Sequence, residues 1–74
     1  MKRLSLTALL EREDDGYAAL CPEPDVVSQG QTIEESMANL KEAVELFLGS
    51  ASHQEIERRL RSDLIIGRFE AVYA

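Results

Sequence analysis

Apolar side chains at Ile33, Met37, Leu40, Val44 and Phe47 recur at spacings of four, three, four and three, which lays one stripe along a helix. Thr32 with Glu35 three residues on has the spacing of a capping box, in which the hydroxyl and the carboxylate satisfy the first free backbone N–H groups. Gly49 is expected to stop this helix. A weaker pattern follows: Ser52 and Glu55 repeat the cap spacing, and Ile56 and Leu60 stand one turn apart on a charged segment. They predict a short second helix over Ser52–Arg61.

Before the long helix the period changes to two. Leu4, Leu6, Ala8 and Leu10 alternate with Ser5, Thr7 and Leu9, predicting a first strand with one clearly apolar face. Asp14-Asp15-Gly16 interrupts the pattern, with Asp-Gly expected to supply the positive φ angles of a tight hairpin. Tyr17–Cys21 returns as a second strand, apolar on both faces, and therefore either central in its sheet or covered by a second molecule. Pro22 and Pro24 remove two backbone donors and force a rigid acidic loop, after which Val26–Gln29 forms a short third strand ended by Gly30. The β-rich run Leu64–Tyr73 predicts a final strand. The expected class is α+β: an antiparallel β-β-β meander with one long helix packed on one face, a short second helix and a last strand.

Seventy-four residues suffice for one two-layer domain, 1–74, and leave no room for a second module. At this size, without a disulfide framework, self-association is the expected source of added stability. No apolar run approaches the length of a membrane span and no signal peptide is evident. With the single Cys21, this places the chain in a reducing cytoplasm. The net charge of −6 makes nucleic acid a poor direct ligand and a basic protein a better one. The charge is uneven: Glu11, Glu13, Asp14, Asp15, Glu23 and Asp25 lie in one stretch against Arg12 alone, while Arg58, Arg59 and Arg61 cluster late.

Asp14-Asp15-Gly16-Tyr17, then Ala19, Cys21-Pro22-Glu23, Val27-Ser28-Gln29-Gly30, Thr32 and Glu35 together resemble the HicB antitoxin family over roughly the first fifty residues. The resemblance implies a partial ribonuclease H-like fold with the later strand beside the first. It also implies a HicA-like toxin as partner, a small basic ribonuclease that HicB proteins neutralise by occluding the nuclease surface. An acidic antitoxin meeting a basic toxin agrees with the charge argument. Two departures stand out: the family's usual Leu-Pro-Gly step is replaced by Pro24-Asp25-Val26, and the chain ends at Ala74 without the C-terminal operator-binding segment of longer members. Direct DNA binding is accordingly not expected.

Candidate chemistry is sparse. A metal-dependent nuclease needs several carboxylates converging on Mg²⁺, but Asp14 and Asp15 are accounted for by the turn, and Glu23 and Asp25 lack a matching helix carboxylate. Cys21 and His53 offer neither a thiol dyad nor a complete zinc set. Cys21 reads as a small buried hydrophobe, His53 as exposed, and the arginine cluster as solvated helix surface paired with Glu55 and Glu57. No enzymatic activity, metal or cofactor is therefore expected. The residues expected to touch a partner are Asp14, Asp15, Tyr17, Glu23 and Asp25, Tyr17 because tyrosine is enriched at interface hot spots. A stand-alone regulatory or ligand-binding domain without a toxin is the alternative reading.

Overall fold

Thr32 caps the long helix as its spacing predicts, accepting from the backbone N–H of Glu35 at 3.0 Å while the Glu35 carboxylate takes the N–H of Gln31 at 2.9 Å. Such a cap contributes about 1 kcal/mol. The computed structural model describes residues 3–60 and 63–74. Within them the chain runs β1 (Leu9–Glu13), β2 (Gly16–Cys21), β3 (Val26–Gly30), α1 (Ile33–Ser50) and α2 (His53–Leu60). The three strands form one antiparallel sheet in the order β1-β2-β3. β2 is thus the central strand, paired along both edges.

The sheet register sets the core. Ala19 pairs with Leu10 and Ser28, and Cys21 with Val26, so these side chains share the face on which α1 lies. Ala19, Cys21, Leu40 and Val44 form the buried cluster, with Leu6, Ala8, Val26 and Leu48 packed around it. Burying Leu40 and Val44 contributes roughly 1.5–3 kcal/mol each. The buried line of α1 is Ser36, Leu40 and Val44, which corrects the five-residue stripe: Ile33 and Met37 remain 48% and 44% exposed. Small residues on the strands draw the helix in along one narrow line, and the polar Ser36 belongs to it because its Oγ donates to the Tyr17 carbonyl at 2.9 Å. Asn39 adds a second tie, donating to the Gln29 carbonyl on the outer edge of β3 at 2.8 Å.

Gly30 permits this approach. A Cβ there would lie 2.7 Å from the Ser36 backbone nitrogen, and one at Gly16 would lie 2.3 Å from the Gly30 carbonyl oxygen. Gly16 therefore serves close packing. The expectation that Asp-Gly supplies positive φ angles is overturned, since among the described residues only Asp25, at φ 60°, has one. Gly49 likewise does not stop α1, which continues through Ser50. The helix ends where Ala51 turns extended, its N–H donating to the Phe47 carbonyl at 2.9 Å, immediately before Ser52 caps α2 through the Glu55 N–H at 3.0 Å. The predicted extent of α2 is met to Leu60; Arg61 lies outside the described residues.

Two strand expectations are corrected. β1 starts at Leu9, and residues 3–8 form an unpaired arm, because continuing the register would set Thr7 opposite Pro22, which has no N–H to offer. The arm still packs inward through Leu6 and Ala8, the apolar positions of the alternation. The predicted final strand at Leu64–Tyr73 does not form: residues 63–74 carry neither helix nor strand, and Phe69, Val72 and Tyr73 are at least 90% exposed. A β-patterned segment becomes a strand only when a neighbour accepts its backbone, and among the described residues it finds none. The radius of gyration, 14.5 Å, accordingly exceeds the about 11 Å of a compact chain of this length.

Candidate functional site

The hairpin joining β1 to β2 pairs Glu13 with Gly16 and leaves Asp14 and Asp15 as its two-residue tip. Beside it the end of β3 completes an open hollow of about 620 Å³ whose walls include Glu13, Asp14, Asp15, Tyr17, Gln29 and Gln31. Among the described residues no hydrogen bond or ion pair engages the carboxylates of Glu13, Asp14 or Asp15. The nearby cation is already directed elsewhere: Arg12 Nη2 donates to the Tyr17 hydroxyl at 3.0 Å, and its guanidinium carbon lies 5.5 Å from the Tyr17 ring centroid. Arg12 and Tyr17 are register partners on one face, which brings them together. The result is a negative end with a braced, half-buried aromatic at its base.

The opposite end of the sheet is built differently from similar residues. Pro22–Asp25 is a turn closed by the Asp25 N–H on the Pro22 carbonyl at 3.2 Å, with Asp25 in the left-handed region. Glu23 points back into the fold. Its carboxylate accepts the Thr7 N–H at 3.0 and 3.1 Å and the Thr7 hydroxyl at 2.6 Å. These bonds, the hydroxyl foremost, hold its pKa below the usual carboxylate range against the opposing effect of partial burial. Glu23 thereby caps the arm where the strand ladder fails. Of the five residues expected to touch a partner, Asp14, Asp15 and Tyr17 are gathered at the hairpin end, Asp25 stands exposed at the far end, and Glu23 is occupied internally. Glu23 is thus the one of the five whose carboxylate is seen engaged within the chain.

Arg59 corrects an expectation. It is not merely solvated surface: Nη1 donates to the Pro24 carbonyl at 2.6 Å, Nε meets Glu55 at 2.9 Å, and the guanidinium lies 4.9 Å from the Phe47 ring centroid. Arg59 therefore pins α2 to both the proline turn and α1, a role that sequence spacing to Glu55 did not reveal because its other partners are distant in the chain. Arg58 does behave as a solvated partner of Glu55, at 2.7 Å. That bond lowers the Glu55 pKa and raises that of Arg58. His53 is exposed and meets Glu57 at 2.9 Å.

Cys21 is 2% exposed. Burial first, and the nearby Glu23 charge second, push its thiol pKa up, which disfavours the nucleophilic thiolate. The carboxylates weighed as metal ligands are divided between the two ends of β2, Asp14 and Asp15 at one and Glu23 and Asp25 at the other. Among the described residues no three His, Cys, Asp or Glu side chains converge as a ligand set. No described helix is long and apolar enough to cross a membrane.

Fold and site together define a small α+β domain: a three-stranded antiparallel sheet backed by one long helix, with an unpaired acidic hairpin end. The chain belongs to the UPF0150 family. It is 34% identical over 70 residues to a UPF0150 protein of Helicobacter pylori (strain J99), covering 93% of this chain and 97% of that one. Two UPF0150 proteins of Synechocystis are 45% and 42% identical over 64 and 65 residues. Those matches span 81% and 85% of this chain, and 77% and 89% of theirs. No family model matches the chain, and no solved structure matches it.

Proposed function

We propose that the chain is a HicB-like antitoxin domain that binds a small basic HicA-type ribonuclease and neutralises it by covering its nucleic-acid surface, with no chemistry of its own. The observation that carries this reading is the hairpin end, where Glu13, Asp14 and Asp15 have no cation partner among the described residues and stand beside a hollow of about 620 Å³. Carboxylates with no structural partner, in a chain of net charge −6, present a field that steers and orients a basic protein. Tyr17 supplies the aromatic contact, its ring already held by Arg12 so that little freedom is lost on binding. The segment order that resembles HicB runs through this same hairpin.

The test is co-expression with the small open reading frame encoded beside this one, followed by affinity capture and an RNA-cleavage assay. The two proteins are expected to co-purify, and cleavage is expected to fall as this chain is added. A neighbour that cleaves RNA undiminished in its presence, or the lack of any small basic neighbour, overturns the proposal.

A further inference from the structure

The arm 3–8, α1 and α2 enclose a groove of about 1150 Å³ whose floor is Leu6, Cys21, Leu40, Val44, Leu48 and Ile56. Nothing among the described residues fills it; the arm along one side pairs with no described strand, although its Thr7 N–H is taken by Glu23, and it leads into β1, an edge strand of the sheet. The same chain carries a segment shaped for such a place and leaves it outside. In residues 64–73 one parity reads Ile65, Gly67, Phe69, Ala71 and Tyr73, an entirely apolar face, while the other mixes Leu64, Ile66 and Val72 with Arg68 and Glu70. That apolar face is almost wholly exposed, Ile65, Phe69 and Tyr73 at 89%, 90% and 94%; on the other parity Leu64 and Ile66 are 44% and 54% exposed and Val72 100%.

We infer that residues 64–73 of one copy dock in this groove of a second copy, and reciprocally, as a strand added along the arm and β1. A second copy, and not the chain's own fold, is the occupant because only three residues join Leu60, which lines the groove, to Leu64. A connection that short favours exchange over folding back. Reciprocal exchange is isologous, so it closes as a dimer and does not propagate. It hides both an exposed apolar strand and an open sheet edge, each a liability alone. The inference goes beyond the antitoxin reading and needs no toxin for its test.

Light scattering on the full chain is expected to give twice the 8.3 kDa chain mass. The double variant Ile65→Asp, Phe69→Asp alters only exposed positions, so it is expected to keep the wild-type circular dichroism spectrum while its mass halves. A wild type that stays monomeric on concentration, or a dimer that survives the double variant, overturns the inference. Placement is read by mixing ¹⁵N-labelled chain with unlabelled Glu70→Cys chain carrying a nitroxide, since buried Cys21 escapes labelling. Broadening of the Leu40, Val44 and Ile56 amides in the ¹⁵N chain is the expected result. Their remaining sharp in the mixture also overturns it.

Discussion

The two ends of the sheet are both acidic turns, and they differ in what their carboxylates do. At the proline end Glu23 is consumed by Thr7, and the Pro24 carbonyl by Arg59, so the turn is a joint that fastens the N-terminal arm and α2 to the meander. At the hairpin end Asp14 and Asp15 engage no partner among the described residues, and Tyr17 is braced by Arg12. Nearly the same residue types thus make a structural joint at one end and an open charged surface at the other. The distinction comes from whether a donor from elsewhere in the chain arrives, which local composition does not record.

The sharpest way to break this comparison is Glu23→Ala, which leaves the Thr7 donors without their acceptor. It is expected to cost about 2–3 kcal/mol in urea unfolding, as loss of bonds to a charged acceptor does. Arg59→Ala follows, at about 1–2 kcal/mol, through the lost bond to the Pro24 carbonyl and the lost contact with the Phe47 ring. Acid titration sharpens the assignment. The folded-state pKa of Glu23 is depressed, so its contribution is present above the unfolded carboxylate pKa and is lost as pH falls through the lower folded value. Midpoints measured from neutral pH downward are expected to fall less steeply in Glu23→Gln than in the wild type. The smallest effect belongs to the other end: Asp14→Asn with Asp15→Asn is expected to move stability by no more than about 0.5 kcal/mol.

Local signals in the sequence were legible where the chemistry is local. The Thr32–Glu35 and Ser52–Glu55 caps and the hairpin position rest on residues a few positions apart, and all are present; the apolar faces of β2 left two readings open, and the sheet order makes it central. What escaped depends on distant partners. Ser36 joins the buried helix face because the Tyr17 carbonyl lies opposite it, and its polarity hid it from an apolar count, although the regular spacing Ser36, Leu40, Val44 and Leu48 was available. Gly16 resembles a turn glycine, yet its constraint is the Gly30 carbonyl across the sheet. Glu23 resembles a free surface acid because nothing in its neighbourhood announces Thr7. The Leu64–Tyr73 pattern marks strand propensity correctly but names no partner strand.

The most direct measurement of the central claim is the affinity of charge-reversed variants for the proposed basic ribonuclease partner, by surface plasmon resonance at fixed ionic strength. Asp14→Lys with Asp15→Lys is expected to weaken binding at least about tenfold, chiefly through slower association, because exposed charges act on encounter. Asp25→Lys at the other end of the sheet is expected to leave the affinity within about twofold. Equal losses at both ends, or an unchanged affinity after reversal at the hairpin, contradicts the account.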